Sequence, residues 1–160
     1  MSDPTWVGGQ TVSADDLQDL AEYGTWTPTL TVVTLGTNPT LGAGATLAGE
    51  YHRNGRLITL WLNITFDTAG VAAGSGTYQI GGLPFPIDTF GAGQAMGGSL
   101  FIIDNSVTER HVVTPRVQSS TAFTMVLIRV NPATEVTNAS PFTWAASDAI
   151  RGTVSYLGTT

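Results

Sequence analysis

Residues Leu57 to Phe66 read LITLWLNITF, and apolar and other residues alternate along the run. In an extended chain Ile58, Leu60, Leu62, Ile64 and Phe66 point one way, and Leu57, Thr59, Trp61, Asn63 and Thr65 point the other. A period of two held over a whole segment is a strand signal. The first face reads as core; the second is mixed, with Trp61 as its large member. Just upstream, TLAGEYHR leads into Asn54-Gly55. Two β-rich runs around an Asn-Gly pair are the strongest short-range signal for a hairpin. The chain must therefore accommodate an antiparallel pair with one buried face.

The rest of the sequence extends that pattern. TWTPTLTVVTL (Thr25–Leu35) is β-rich, but Pro28 cannot donate to a ladder, which points to a sheet edge. GTNPTLGAGA (Gly36–Ala45) and AGVAAGSG read as loops, and TYQIGGLPFPI as a short strand ending in a Pro-rich turn. Ala95–Ile103, Arg110–Val117, Ala122–Val130 and Ala149–Leu157 complete about eight strands. In the last, Ile150, Gly152, Val154 and Tyr156 share one face. Regular strand spacing with Gly-, Pro- and Asn-rich turns predicts an all-β domain, an antiparallel β-sandwich or jelly roll. The 160 residues suit one domain, and 42% apolar content can fill its core. Only 11% of residues are charged, there are 25 Thr, and all six cationic residues are Arg. A lone monomer usually carries more surface charge than this, so neighbouring subunits are expected to cover part of the surface.

The front of the chain differs. In TVSADDLQDLAEYG, Ser13 can cap a helix, Asp15 and Asp16 sit in its first turn, and Val12 and Leu17 have the spacing of a hydrophobic staple. Leu17, Leu20 and Ala21 form a narrow apolar stripe, and Gly24 stands where a helix would stop. These signals predict one short helix, Ala14 to about Tyr23. Such a helix is marginal alone and needs something to lie on. Residues 1–23 accordingly read as a docking arm and 24–160 as the β-sandwich domain. The candidate docking or interface residues are Val12, Leu17, Leu20, Tyr23 and Trp26. The alternative is that the helix caps the open end of its own sandwich.

Chemistry is sparse. His52 and His111 each lie in a strand beside an Arg, with no spacing that demands a catalytic pairing. The sequence contains no nucleophile elbow, zinc-protease helix, P-loop or EF-hand loop. GAGAT (Gly42–Thr46) lacks the Lys and following helix of a phosphate loop and reads as a turn. The acidic residues of DTAG, DNS and SDA read as caps of their own turns. With no Cys there is no disulfide or Cys–metal site, and the reading assigns no metal and no cofactor. A net charge of −6 gives no basic stripe for nucleic acid, and no apolar run approaches membrane length. MSDPTW lacks the features of a secretory signal. Trp6, Trp26, Trp61 and Trp144 remain; a sugar-stacking platform is one use for such residues, core or interface packing the commoner one. Trp26 and Trp144 are expected to be structural.

Five pieces in order carry a resemblance: GQTVSADDLQDL, GTWTPTLT, GEYHRNGRLITLWLNITF, GSGTYQIGGLPFPI and SPFTWAASDAIRGTVSYLGT. Together they resemble small β-rich virion proteins of tailed bacteriophages, of the actinobacteriophage minor tail or capsid decoration type. They span most of the chain; Ala92–Glu135 carries no matching motif. The resemblance implies a non-enzymatic structural protein of the virion, made in the host cytoplasm. It also implies self-association, a trimer being usual for such domains, and contact with the major capsid protein or other virion proteins. The absence of a coiled-coil or β-helix shaft favours capsid decoration. The alternative is a minor tail or fibre-tip protein that binds a host-surface glycan.

Overall fold

The computed structural model describes residues 21–33, 35–88, 96–117, 125–129 and 134–159. Its strands are β1 (Ala21–Trp26), β2 (Thr29–Val32), β3 (Thr40–Leu41), β4 (Thr46–Asn54), β5 (Leu57–Thr65) and β6 (Val71–Ala72), followed by β7 (Tyr78–Gly81), β8 (Gly97–Asp104), β9 (Glu109–Val117), β10 (Met125–Arg129) and β11 (Ala149–Leu157). Nine of these form one sheet in the order β1-β4-β5-β11-β8-β9-β10-β7-β2, and β3 pairs with β6 in a separate ribbon. Every pairing is antiparallel. The all-β, antiparallel expectation holds. Within the sheet, β8, β9 and β10 run as a meander and β11 returns beside β8, which is a Greek key.

The strand order dictates the shape. β1 and β2 lie at opposite edges of the sheet, yet only Thr27 and Pro28 separate them. Trp26 and Thr29 can be at most about 11 Å apart along the chain. The edges of a flat nine-stranded sheet would be about 38 Å apart. The sheet must therefore roll until its edges approach, with Pro28 at the corner where no ladder donor is required. The inward faces of both halves meet in a single core that includes Trp26, Leu30, Leu60, Tyr78, Leu100 and Val154. Ile58, Leu60, Leu62, Ile64 and Phe66 are all buried, as the alternation predicts, and Leu57 and Trp61 on the other face are exposed. β11 has the expected inward set as well, with Ile150, Val154 and Tyr156 buried.

Three local expectations change. The predicted helix does not extend through Tyr23. Residues 14–20 lie outside the described residues, but Ala21–Tyr23 are the first half of β1, paired with Asn54, Arg53 and His52 of β4. Long-range pairing overrides the local signal here, as it commonly does. Gly24 is not a helix stop. It faces Tyr51 in the ladder, and a Cβ there would sit 2.6 Å from the Tyr51 ring. The next inward pair inverts the arrangement: Gly49 faces Trp26, and its missing side chain makes room for the indole. An aromatic laid over a cross-strand glycine fixes the register from both sides.

The hairpin is present with its turn displaced by one residue. Asn54 pairs with Leu57, so the loop is Gly55-Arg56. Only Gly55 has positive φ, 56°, which matches a loop with Gly at its first central position. The two segments expected as plain loops pair with each other through β3 and β6, a ribbon that neither segment announces alone.

Candidate functional site

No group of three or more His, Cys, Asp or Glu that could hold a metal occurs among the described residues. His52 lies on the outward face of β4 with its ring stacked on Tyr23, centroids 4.4 Å apart and planes 10° from parallel. His111 lies on β9 with Nε2 2.9 Å from Glu109 Oε1, a contact without hydrogen-bond alignment, and its ring faces Phe142. Among the described residues, neither histidine hydrogen-bonds a Ser or Asp.

The carboxylates of the turn sequences cap their own turns, as expected, and those of Asp67 and Asp148 also cap backbone of distant segments. Asp104 Oδ1 accepts from the Ser106 N–H at 2.9 Å and from its hydroxyl at 2.6 Å. Asp148 is fully buried and accepts from the N–H groups of Asn105 at 3.0 Å and Ala145 at 2.7 Å. Burial raises its pKa, against the pull of those two donors. Asp67 accepts from the Gly44 N–H at 2.8 Å and the Thr68 N–H at 2.6 Å. The GAGAT segment is thus a turn folded around a carboxylate belonging to the protein itself. Those N–H groups stabilise the Asp67 anion and lower its pKa below the ordinary 3.8.

The shifts of Asp67 and Asp148 have opposite consequences for stability. A depressed pKa contributes stability that is present above the ordinary value and lost as pH falls through the depressed one; a raised pKa contributes stability below the ordinary value that is lost as pH rises. The Asp67→Asn protein is therefore expected to melt below wild type at about pH 6, with the gap narrowing toward about pH 3. Thermal melts of both proteins across that range check this. A gap independent of pH would show that the Asp67 charge does not matter.

A shallow groove lies on β1, β4 and β5. Its volume is about 950 Å³, and its lining includes Tyr23, Thr25, Ala48, Glu50, Trp61 and Asn63. Thr25 pairs with Glu50 and Glu50 with Trp61, so these three form one cross-strand row. Tyr23 with His52, and Ala48 with Asn63, make the rows on either side. The small residues Thr25 and Ala48 leave a depression that the larger side chains border. Tyr23 is 72% and Trp61 44% exposed. The Asn63 Oδ1 accepts from Arg151 Nε and the Thr65 hydroxyl, both at 2.9 Å, which fixes the amide.

Beneath this face the tyrosine and arginine of the hairpin join a second polar cluster. The Tyr51 hydroxyl donates to Glu22 at 2.9 Å, which is the main reason its pKa is raised. Arg53 stacks on the Phe85 ring, 4.6 Å from its centre. These contacts tie β1 to β4 and to the Pro-rich turn after β7.

Of the candidate docking residues, Val12, Leu17 and Leu20 lie outside the described residues. Tyr23 is outward and open. Trp26 is inward, 8% exposed, with Nε1 donating to the Glu50 carbonyl at 3.3 Å. Trp144 is also buried, so both tryptophans have the structural setting expected of them. Trp61 and Tyr23 each stand out in the sequence, whereas nothing local marks Glu50 and Asn63 as site residues. Their outward alternation was readable, but the adjacency of β1, β4 and β5 was not. Comparison with protein-family models, with curated proteins and with solved structures found no match to this chain.

Proposed function

We propose that this chain is a non-enzymatic structural protein of a tailed-bacteriophage virion, displayed on the particle as a homotrimeric capsid decoration protein. The sequence resemblance supplies the virion setting. One structural observation supports self-association: exposed hydrophobic residues stand in cross-strand pairs on the outward face. Phe101 faces Val112 across β8 and β9, and Leu57 faces Leu157 across β5 and β11, and all four are exposed. Paired apolar residues on a surface poor in charge are what a subunit interface would cover. The sandwich or jelly-roll subdivision of the rolled sheet belongs to the same reading.

The anchor in this reading is the segment ahead of β1. The informative truncation removes Met1–Leu20 and stops there, because deleting further would remove β1 and its Glu22–Tyr51 bond. The truncated chain is expected to fold and to be missing from purified particles, whereas the intact chain is present in hundreds of copies. Phe101→Asp is expected to leave the fold intact and abolish self-association in sedimentation. Truncated protein on particles at normal copy number would reject the anchor. A handful of intact copies per particle would favour the tail over the capsid.

A further inference from the structure

The groove on β1, β4 and β5 has a chemistry that assembly alone does not require. Two exposed aromatic side chains border it. Tyr23 is backed by the parallel ring of His52, which holds it as a platform. Trp61 stands two strands over and one pairing row along. Strand spacing and rise put the two Cα atoms about 12 Å apart. Between them lie the Thr25 hydroxyl and the Glu50 carboxylate. At one side is Asn63, whose oxygen is engaged by Arg151 and Thr65 and whose N–H donors are left for another partner.

We infer that this groove binds a neutral oligosaccharide. Apolar sugar faces would stack on Tyr23 and Trp61, and sugar hydroxyls would hydrogen-bond to Glu50, Thr25 and Asn63. Apolar walls with a few fixed polar groups are what a small-ligand site needs. A sugar ring has an apolar face edged by hydroxyl groups, which matches aromatic platforms interleaved with an acceptor and an amide. Charge selects among sugars. Glu50 is the one charged residue in the described lining, and the Arg151 guanidinium at the rim already donates to Asn63 and Thr65, so a phosphate, a sulfate or an acidic sugar would meet a carboxylate first. The separation of the platforms calls for more than one sugar ring. A second copy of the chain fits less well, because interface centres are depleted in Glu, Ser and Ala, and Glu50 and Ala48 lie in the middle of this groove. The inference does not depend on whether the protein sits on capsid or tail.

The test titrates the full chain with neutral hexasaccharides of glucose, galactose, mannose and N-acetylglucosamine, with a sialylated oligosaccharide as the acidic control. Calorimetry and tryptophan fluorescence provide the readouts. At least one neutral probe is expected to bind with a millimolar or tighter Kd and to perturb the fluorescence, and the acidic control is not. Trp61→Ala and Tyr23→Ala should each weaken binding about tenfold or more, and Glu50→Gln should weaken it less. Both aromatic side chains point outward, so each variant should keep the wild-type melting profile, and the two provide independent checks. No binding by any neutral probe at about 10 mM overturns the inference. So does binding that both aromatic variants retain. Self-association removed by Trp61→Ala, with no response to sugar, would assign the groove to a second copy and also overturn it.

Discussion

Trp144→Ala is expected to lower the unfolding free energy by about 3–5 kcal/mol, the usual range for removing a buried aromatic. Trp144 is 3% exposed. Its ring centre lies 5.4 Å from Phe66, 5.4 Å from Tyr78 and 4.9 Å from Phe142. Truncation would open a void among three rings held by different segments, so the site has little freedom to collapse. It would also leave the Thr137 carbonyl without the indole N–H that donates to it at 3.0 Å. For a chain of this size the melting temperature should fall by roughly 6–20 °C. Urea titration should show a lower midpoint with an unchanged slope. A loss below about 1 kcal/mol would mean that the loop before β11 is not part of the cooperative core.

The second large effect belongs to a position with no side chain. Gly152 sits in β11 with φ of 147°, opposite Leu100 of β8. A Cβ on Gly152 would lie 2.5 Å from the Ser99 carbonyl oxygen and 3.0 Å from the Leu100 Cα. Both are backbone atoms of the neighbouring strand and cannot swing aside. The backbone conformation alone costs a non-glycine residue about 1–3 kcal/mol. With the clash added, Gly152→Ala should lose about 3 kcal/mol or more. Gly97→Ala is the control: its Cβ would make ordinary contacts, the nearest at 3.5 Å, and the effect should stay within about 0.5 kcal/mol. Equal effects at the two positions would show that strand glycines matter generally rather than through this close approach.

How much of this was legible depends on the range of the interaction. The inward face of β5 is written in its alternation, since a strand with one buried side must repeat every two residues. The bounds of β11 were readable for the same reason. Ala21–Tyr23 were misread because their local capping and spacing signals describe a helix, while the partner that decides their state, Asn54 to His52, lies about thirty residues away. Gly24 illustrates the difficulty: a glycine that ends a helix and one that admits a ring from the next strand look alike in sequence. The groove was half legible. Outward-pointing Trp61 could be read, but no local pattern shows that Tyr23 and Glu50 share its face, because that follows from strand order.

Strand order also has a consequence for synthesis. β11 lies between β5 and β8 near the middle of the sheet, yet it follows all the other described strands in the chain. While the polypeptide emerges from the ribosome, β5 and β8 are both open edges, and the inward row of Ile58, Leu60, Leu62 and Ile64 has no central neighbour. The sheet cannot close until β11 is released, so productive folding waits for the last of the described strands and is dominated by contacts distant in sequence, which form slowly. Nascent chains are most exposed to edge-to-edge association during that interval. A ribosome stall just before Ala149 should therefore leave a sticky, protease-sensitive chain, and release of the nine residues of β11 should convert it to a resistant one.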